Sequence, residues 1–137
     1  MNKIKELVPL ICDTLNQNKE FRLRVTGTSM KPFLLPTDYV YLKKVDSLEK
    51  GNIILYQRKD GTYILHRIVK LKPDYLVLSG DHQLFKEYPI YKNQVIAKVS
   101  KIEKNGQIND VNKFSYKIYF HIFKFKFIRK LYLCLEN

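Results

Sequence analysis

The chain has 137 residues, enough for one compact domain and too few for a multi-domain machine. Hydrophobic residues make up 45% of it, so a core can close without metals or disulfides and wholesale disorder is excluded. The formal charge of +12 suits a phosphate or anionic-lipid partner, but only 5 of the 25 basic residues are arginine and Ala97 is the single alanine. AT-rich codon usage produces that skew, and lysine without arginine reads bases poorly, which argues against a nucleic-acid partner.

Ile4, Leu7, Val8, Ile11 and Leu15 recur at helical spacing and predict an amphipathic helix ending in the polar run Asn16 to Glu20. Pro9 predicts that this helix starts there or bends, because an interior proline costs about 3 kcal/mol by losing a hydrogen bond and crowding the Lys5 carbonyl. Six runs rich in Val, Ile, Leu and Tyr then predict strands: residues 22–26, 38–44, 52–58, 62–70, 75–79 and 94–102. Between them stand Pro36-Thr37-Asp38, Lys59-Asp60-Gly61, Lys72-Pro73-Asp74 and Lys104-Asn105-Gly106, all with turn chemistry, and the second of these closes a hairpin. No strand-helix-strand alternation is present, so the sheet is antiparallel.

Residues 113–135 hold six Lys/Arg, no acid and 8 of the 18 aromatics. As a helix, Lys113, Lys117, His121 and Lys124 form a polar stripe against Ile118, Ile122 and Phe125; as a strand, Lys124 to Phe127 alternate. Packing on the sheet is the expected fate of this tail, with contact to an anionic membrane surface as the functional alternative. The expected organisation is a helix in residues 1–20, a β core in 21–103 and a basic aromatic segment in 104–137 of the same domain. Cys12 and Cys134 belong to neither a disulfide framework nor a zinc spacing. The sequence has no run of about 20 apolar residues and no secretory signal pattern, so the expected protein is soluble and cytoplasmic, with at most peripheral membrane contact.

Ser29 lies between Gly27-Thr28 and Met30-Lys31-Pro32, directly after a predicted strand. Gly27 opens backbone conformations closed to other residues, and a serine on such a turn can aim its hydroxyl and its own N–H at one carbonyl carbon. A serine hydroxyl needs a base at neutral pH, and His66 shares a strand face with Ile64 and Ile68, where burial keeps an imidazole neutral. His82 and His121 have no flanking residues that would hold them rigidly. Asp81, after Ser79-Gly80, is placed to accept the second N–H of the imidazole, and Glu87 is the other candidate acid. No metal-ligand spacing and no glycine-rich phosphate loop is present, so neither metal nor cofactor is expected.

In order, Gly27-Thr28-Ser29-Met30-Lys31-Pro32, Asp38-Tyr39-Val40, Gly51 to Tyr56, His66-Arg67-Ile68-Val69, Gly80-Asp81 and Val95 to Val99 resemble the successive boxes of type I signal peptidases and their relatives, the self-cleaving phage and SOS repressors. The resemblance runs from about Val25 to Val99. With His66 where many relatives place lysine, the chain resembles the endoplasmic-reticulum-type branch, in which serine works with histidine and an acid. This implies a coiled antiparallel sheet, with Ser29 as nucleophile, His66 as base and Asp81 or Glu87 as the orienting acid. Asn52 and Ala97 stand where relatives commonly carry Asp and Gly, and His82 where they carry Asn or a small residue. The family's membrane anchor has no counterpart in this sequence, so the resemblance implies a specialised peptidase acting on a peptide, leader or precursor protein. The competing expectations are a non-cleaving peptide-binding module on the same fold, and a basic membrane-surface or nucleic-acid-binding protein.

Overall fold

The run Ile53-Ile54-Leu55-Tyr56 is buried on both faces, and it marks the strand from which the architecture is organised. The computed structural model describes residues 3–123 and 126–136. Helix α1 (Ile4–Asn16) leads into β1 (Phe21–Arg24), β2 (Tyr39–Lys43), β3 (Ile53–Gln57), β4 (Tyr63–Leu71), β5 (Leu76–Ser79) and β6 (Glu87–Ile90). A single 3-10 turn precedes β7 (Val95–Lys104) and β8 (Gln107–Asp110), and helices α2 (Phe114–Phe123) and α3 (Lys126–Glu136) follow. The strands form one antiparallel sheet in the order β1-β2-β7-β3-β4-β5-β6, with β8 hairpinned onto β7. Register shifts interrupt four of its ladders, between Tyr41 and Leu42, Leu55 and Tyr56, Ile68 and Lys70, and Leu76 and Leu78. Such bulges sharpen local twist.

The period-two alternation of β3 and β4 feeds two separate cores. Ile53 and Leu55 join Leu23, Val40, Leu42, Val99 and Ile102 beneath α1, while Ile54 and Tyr56 join Ile68, Leu76, Leu78 and Ile90 on the other side. Helix α1 continues through Pro9 and does not start there. Its buried anchors, Ile11 and Leu15, each contribute about 1.5–3 kcal/mol, which offsets the lost hydrogen bond.

All six predicted strands are present, and two more are added. β6 escapes a sequence reading because it is short, contains Pro89 and lies at the sheet edge, where a missing N–H is tolerated. β8 is polar and largely exposed, yet its hairpin is written in Asn105-Gly106, both at positive φ as a two-residue turn requires. The C-terminal segment is helical; of the tetrapeptide that alternates like a strand, Lys124 and Phe125 lie outside the described residues.

Candidate active site

Ser29 sits half-buried in the turn that follows β1, and the site is best located from a residue with no side chain at all. A β-carbon built on Gly80 would collide with the Ser29 carbonyl oxygen and lie 3.1 Å from His66 Nε2. Glycine is therefore required where the loop after β5 meets both the serine turn and the imidazole, and any larger residue would push that loop away from them. The His82 N–H donates to the Ser29 carbonyl at 2.9 Å, tying the two loops together. The structure thus brings the sequence-derived Ser29 and His66 to the same glycine from β1 and β4.

His66 is 2% exposed, opposite Ile54 on β3. Its Nδ1 lies 3.3 Å from the Tyr56 hydroxyl and 3.7 Å from Glu87 Oε2. The Tyr56 hydroxyl donates its proton to Glu87 in a short hydrogen bond, so its oxygen faces Nδ1 as an acceptor. This selects the tautomer with the proton on Nδ1 and leaves the Nε2 lone pair toward Gly80 and Ser29. Burial, reinforced by the Glu87 carboxylate, holds the Tyr56 phenol far above its ordinary range, so the hydroxyl stays protonated. Burial of Glu87 would raise its carboxyl, but Arg58, which donates through Nε at 2.5 Å, and Tyr56 outweigh it and hold the acid ionised.

Burial also takes the His66 imidazole down to about 4, against the opposing pull of Glu87. The imidazole is therefore neutral at physiological pH, the state in which it can accept a proton. Because the folded value lies below the ordinary 6.5, the folded chain binds fewer protons than the unfolded one between the two. The stability that this histidine allows is full above pH 6.5 and declines as pH falls through 4, by up to about 3 kcal/mol. An NMR titration should find the His66 ring resonance unmoved down to about pH 5, with the urea midpoint falling over the same acid range.

Asp81, the acid first expected at the imidazole, has other partners. Its two oxygens accept from Arg67 Nε and Nη2, both at 2.9 Å, and Tyr119 donates a third bond at 3.0 Å. The reason is strand alternation: Arg67 follows His66 and projects to the opposite face, where its guanidinium lies over Phe33 and is capped by the Gly51 carbonyl. Asp81, next to Gly80, meets that guanidinium, and Glu87 on β6 is the carboxylate at His66.

The C-terminal helices lie against this loop. Arg129 on α3 is buried, and its Nη2 donates to the Ser79 hydroxyl at 3.0 Å and to the Gly80 carbonyl at 3.1 Å. Glu136 pairs with Lys31 at 3.1 Å and His82 at 3.3 Å, on the far ends of the two loops. Those pairs are partly exposed and contribute little, so Arg129 is the principal brace. His121 is exposed on α2, away from these contacts.

Beside Ser29 a groove of about 730 Å³ runs between the end of β1 and the start of β4, floored by Leu23, Val25, Met30, Ile64 and Leu65. Among the described residues, the β4 stretch before Arg67 pairs only with β3, because β5 begins its pairing at Arg67. Among the described residues, that edge of β4 therefore has no strand partner from Ile64 to His66, beside the groove. A family model for Peptidase S24-like proteins matches residues 1–102, from α1 into β7 and short of both C-terminal helices. No curated protein matches the chain.

Proposed function

The chain belongs to the Peptidase S24-like family, and from that premise we propose that it is a serine endopeptidase acting on an extended peptide, leader segment or precursor protein. The observation that carries this reading is the division of labour around His66: Nε2 is turned to the Ser29 loop at Gly80, while Nδ1 is occupied by Tyr56 backed by Glu87. In this reading the Ser29 hydroxyl attacks the scissile carbonyl carbon and its proton passes to Nε2. The Ser29 N–H stabilises the oxyanion, and the imidazolium then donates its proton to the leaving amine. Water, deprotonated by the regenerated base, releases the acyl group from Ser29. Glu87, acting through the Tyr56 hydroxyl, stabilises the transient imidazolium and is a positioning residue, the role for which the sequence offered both Asp81 and Glu87.

The apolar groove and the open edge of β4 suit a substrate that adds as a strand, its backbone bonded to residues 64–66 and its alternate side chains set into the groove. The test is incubation with unstructured proteins, with new N-termini mapped by mass spectrometry. Glu87→Gln should slow every cut about a hundredfold without moving the cleavage positions, and should lower the pH at which the residual rate falls, because the charge that favours protonation of His66 is gone. Binding of such proteins with no new N-termini from the unaltered chain would replace this reading with a non-cleaving peptide-binding module.

A further inference from the structure

Helix α2 is apolar on two opposite sides. Tyr116 and Tyr119 pack on Phe33, at ring distances of 4.9 Å, and Tyr119 stacks on Phe123, so these residues form the inward face. At the helical repeat Phe114, Ile118 and Ile122 occupy the opposite side, and they are 76%, 43% and 51% exposed. Leu131 and Leu135, one turn apart on α3, are also strongly exposed. A soluble helix normally sets charges opposite its packed face, so an outward stripe of large apolar groups calls for a covering partner.

The flanking charge identifies that partner. Exposed Lys113, Lys117 and His121 border the α2 stripe, Lys130 adjoins Leu131, and residues 113–135 contain no carboxylate side chain. A second copy of the chain meeting this face about a two-fold axis would set those lysines against their own kind. Anionic lipid headgroups complement them and admit the apolar stripe between them. Ten residues make α2 about 15 Å long, half of a bilayer's hydrocarbon thickness, so the helix can lie in the interface but cannot cross it. Among the described residues no helix is long and apolar enough to span a membrane.

We propose that the outward face of α2 and α3 is a docking surface for an anionic lipid bilayer, seated by Phe114, Ile118 and Ile122 and held by the lysines beside them. The surface is separate from Ser29 and His66, and the inference stands whether or not the chain cleaves peptides.

The test is sedimentation of the full chain with phosphatidylcholine vesicles and with equimolar phosphatidylcholine and phosphatidylglycerol, at low and high ionic strength. The unaltered chain should pellet with the anionic vesicles and remain in solution with the neutral ones. Ile118→Asp with Ile122→Asp should weaken that binding by at least about tenfold, while circular dichroism and thermal unfolding stay near those of the unaltered chain. Lys113→Gln with Lys117→Gln should weaken binding several-fold and flatten its salt dependence. A chain that stays in solution with anionic vesicles overturns the proposal. So does binding that the two aspartates leave intact, which marks a diffuse effect of the net charge, and so does a dimer in solution that they dissociate.

Discussion

Replacing Ser29 with alanine should abolish labelling of the chain by a peptide-mimicking serine electrophile and reduce peptide cleavage by at least about four orders of magnitude, with the fold intact. Ser29 is half-buried on a turn and its side chain fills no part of either core, so the missing hydroxyl removes chemistry without removing packing. His66→Ala should cost about as much in rate, because nucleophile and base act as a unit and the second loss adds little to the first. Its stability will differ: the imidazole is fully buried against Tyr56, and truncation leaves a cavity beside an acceptor that has lost its donor. The measurement is intact mass after labelling, for the unaltered protein and both variants, with unfolding followed by circular dichroism. Selective labelling lost in both establishes an activated serine; labelling that persists in His66→Ala would assign the activation to some other group.

Asp81→Asn should be the most damaging single substitution to stability among the polar residues near the site, at about 3–5 kcal/mol, or a fall in Tm of roughly 10 °C or more. The Arg67–Asp81 pair is almost wholly buried, with two parallel hydrogen bonds between the partners. Neutralising one member strands the other charge where water cannot reach it. Arg67→Met combined with Asp81→Leu should lose less than the two single variants summed, since no unpaired charge is then left behind. The same measurement separates Asp81 from Glu87. If Asp81 oriented the base, its asparagine variant would keep its Tm and lose kcat; the packing around Arg67 requires the reverse, with the folded fraction at low temperature still cleaving.

Strand positions were legible wherever one face or both are buried, because alternation and β-branched runs are imposed by the core itself. The turns at Lys59-Asp60-Gly61 and Asn105-Gly106 were legible for a local reason, the backbone geometry that only such residues adopt cheaply. Ser29 and His66 could be singled out only together and by the order of the boxes around them, because a serine in a turn and a histidine on an apolar strand face are each commonplace alone. The acid could not be chosen. Asp81 and Glu87 follow the same strand, and which reaches the imidazole depends on β6, a segment whose proline and polar residues hide it, pairing with β5. Tyr56 read as one more apolar residue of β3; its hydroxyl gains meaning only when β3, β4 and β6 are side by side. Arg129 carried no local signal, since its partners are 49 and 50 residues away. The tail's period was ambiguous because both of the outer and inner faces of α2 are apolar, which erases the contrast by which an amphipathic helix is recognised.

The contact between Arg129 and the Gly80 loop also sets an order in time. A chain leaving the ribosome presents Ser29, His66 and Glu87 well before Arg129 can reach its two acceptors. Until then the Gly80 loop is held by the His82 bond to Ser29 and by the Arg67–Asp81 pair, without its C-terminal brace. The site's arrangement is thus completed only once the C-terminal helices have formed, about 50 residues of chain after the loop they brace.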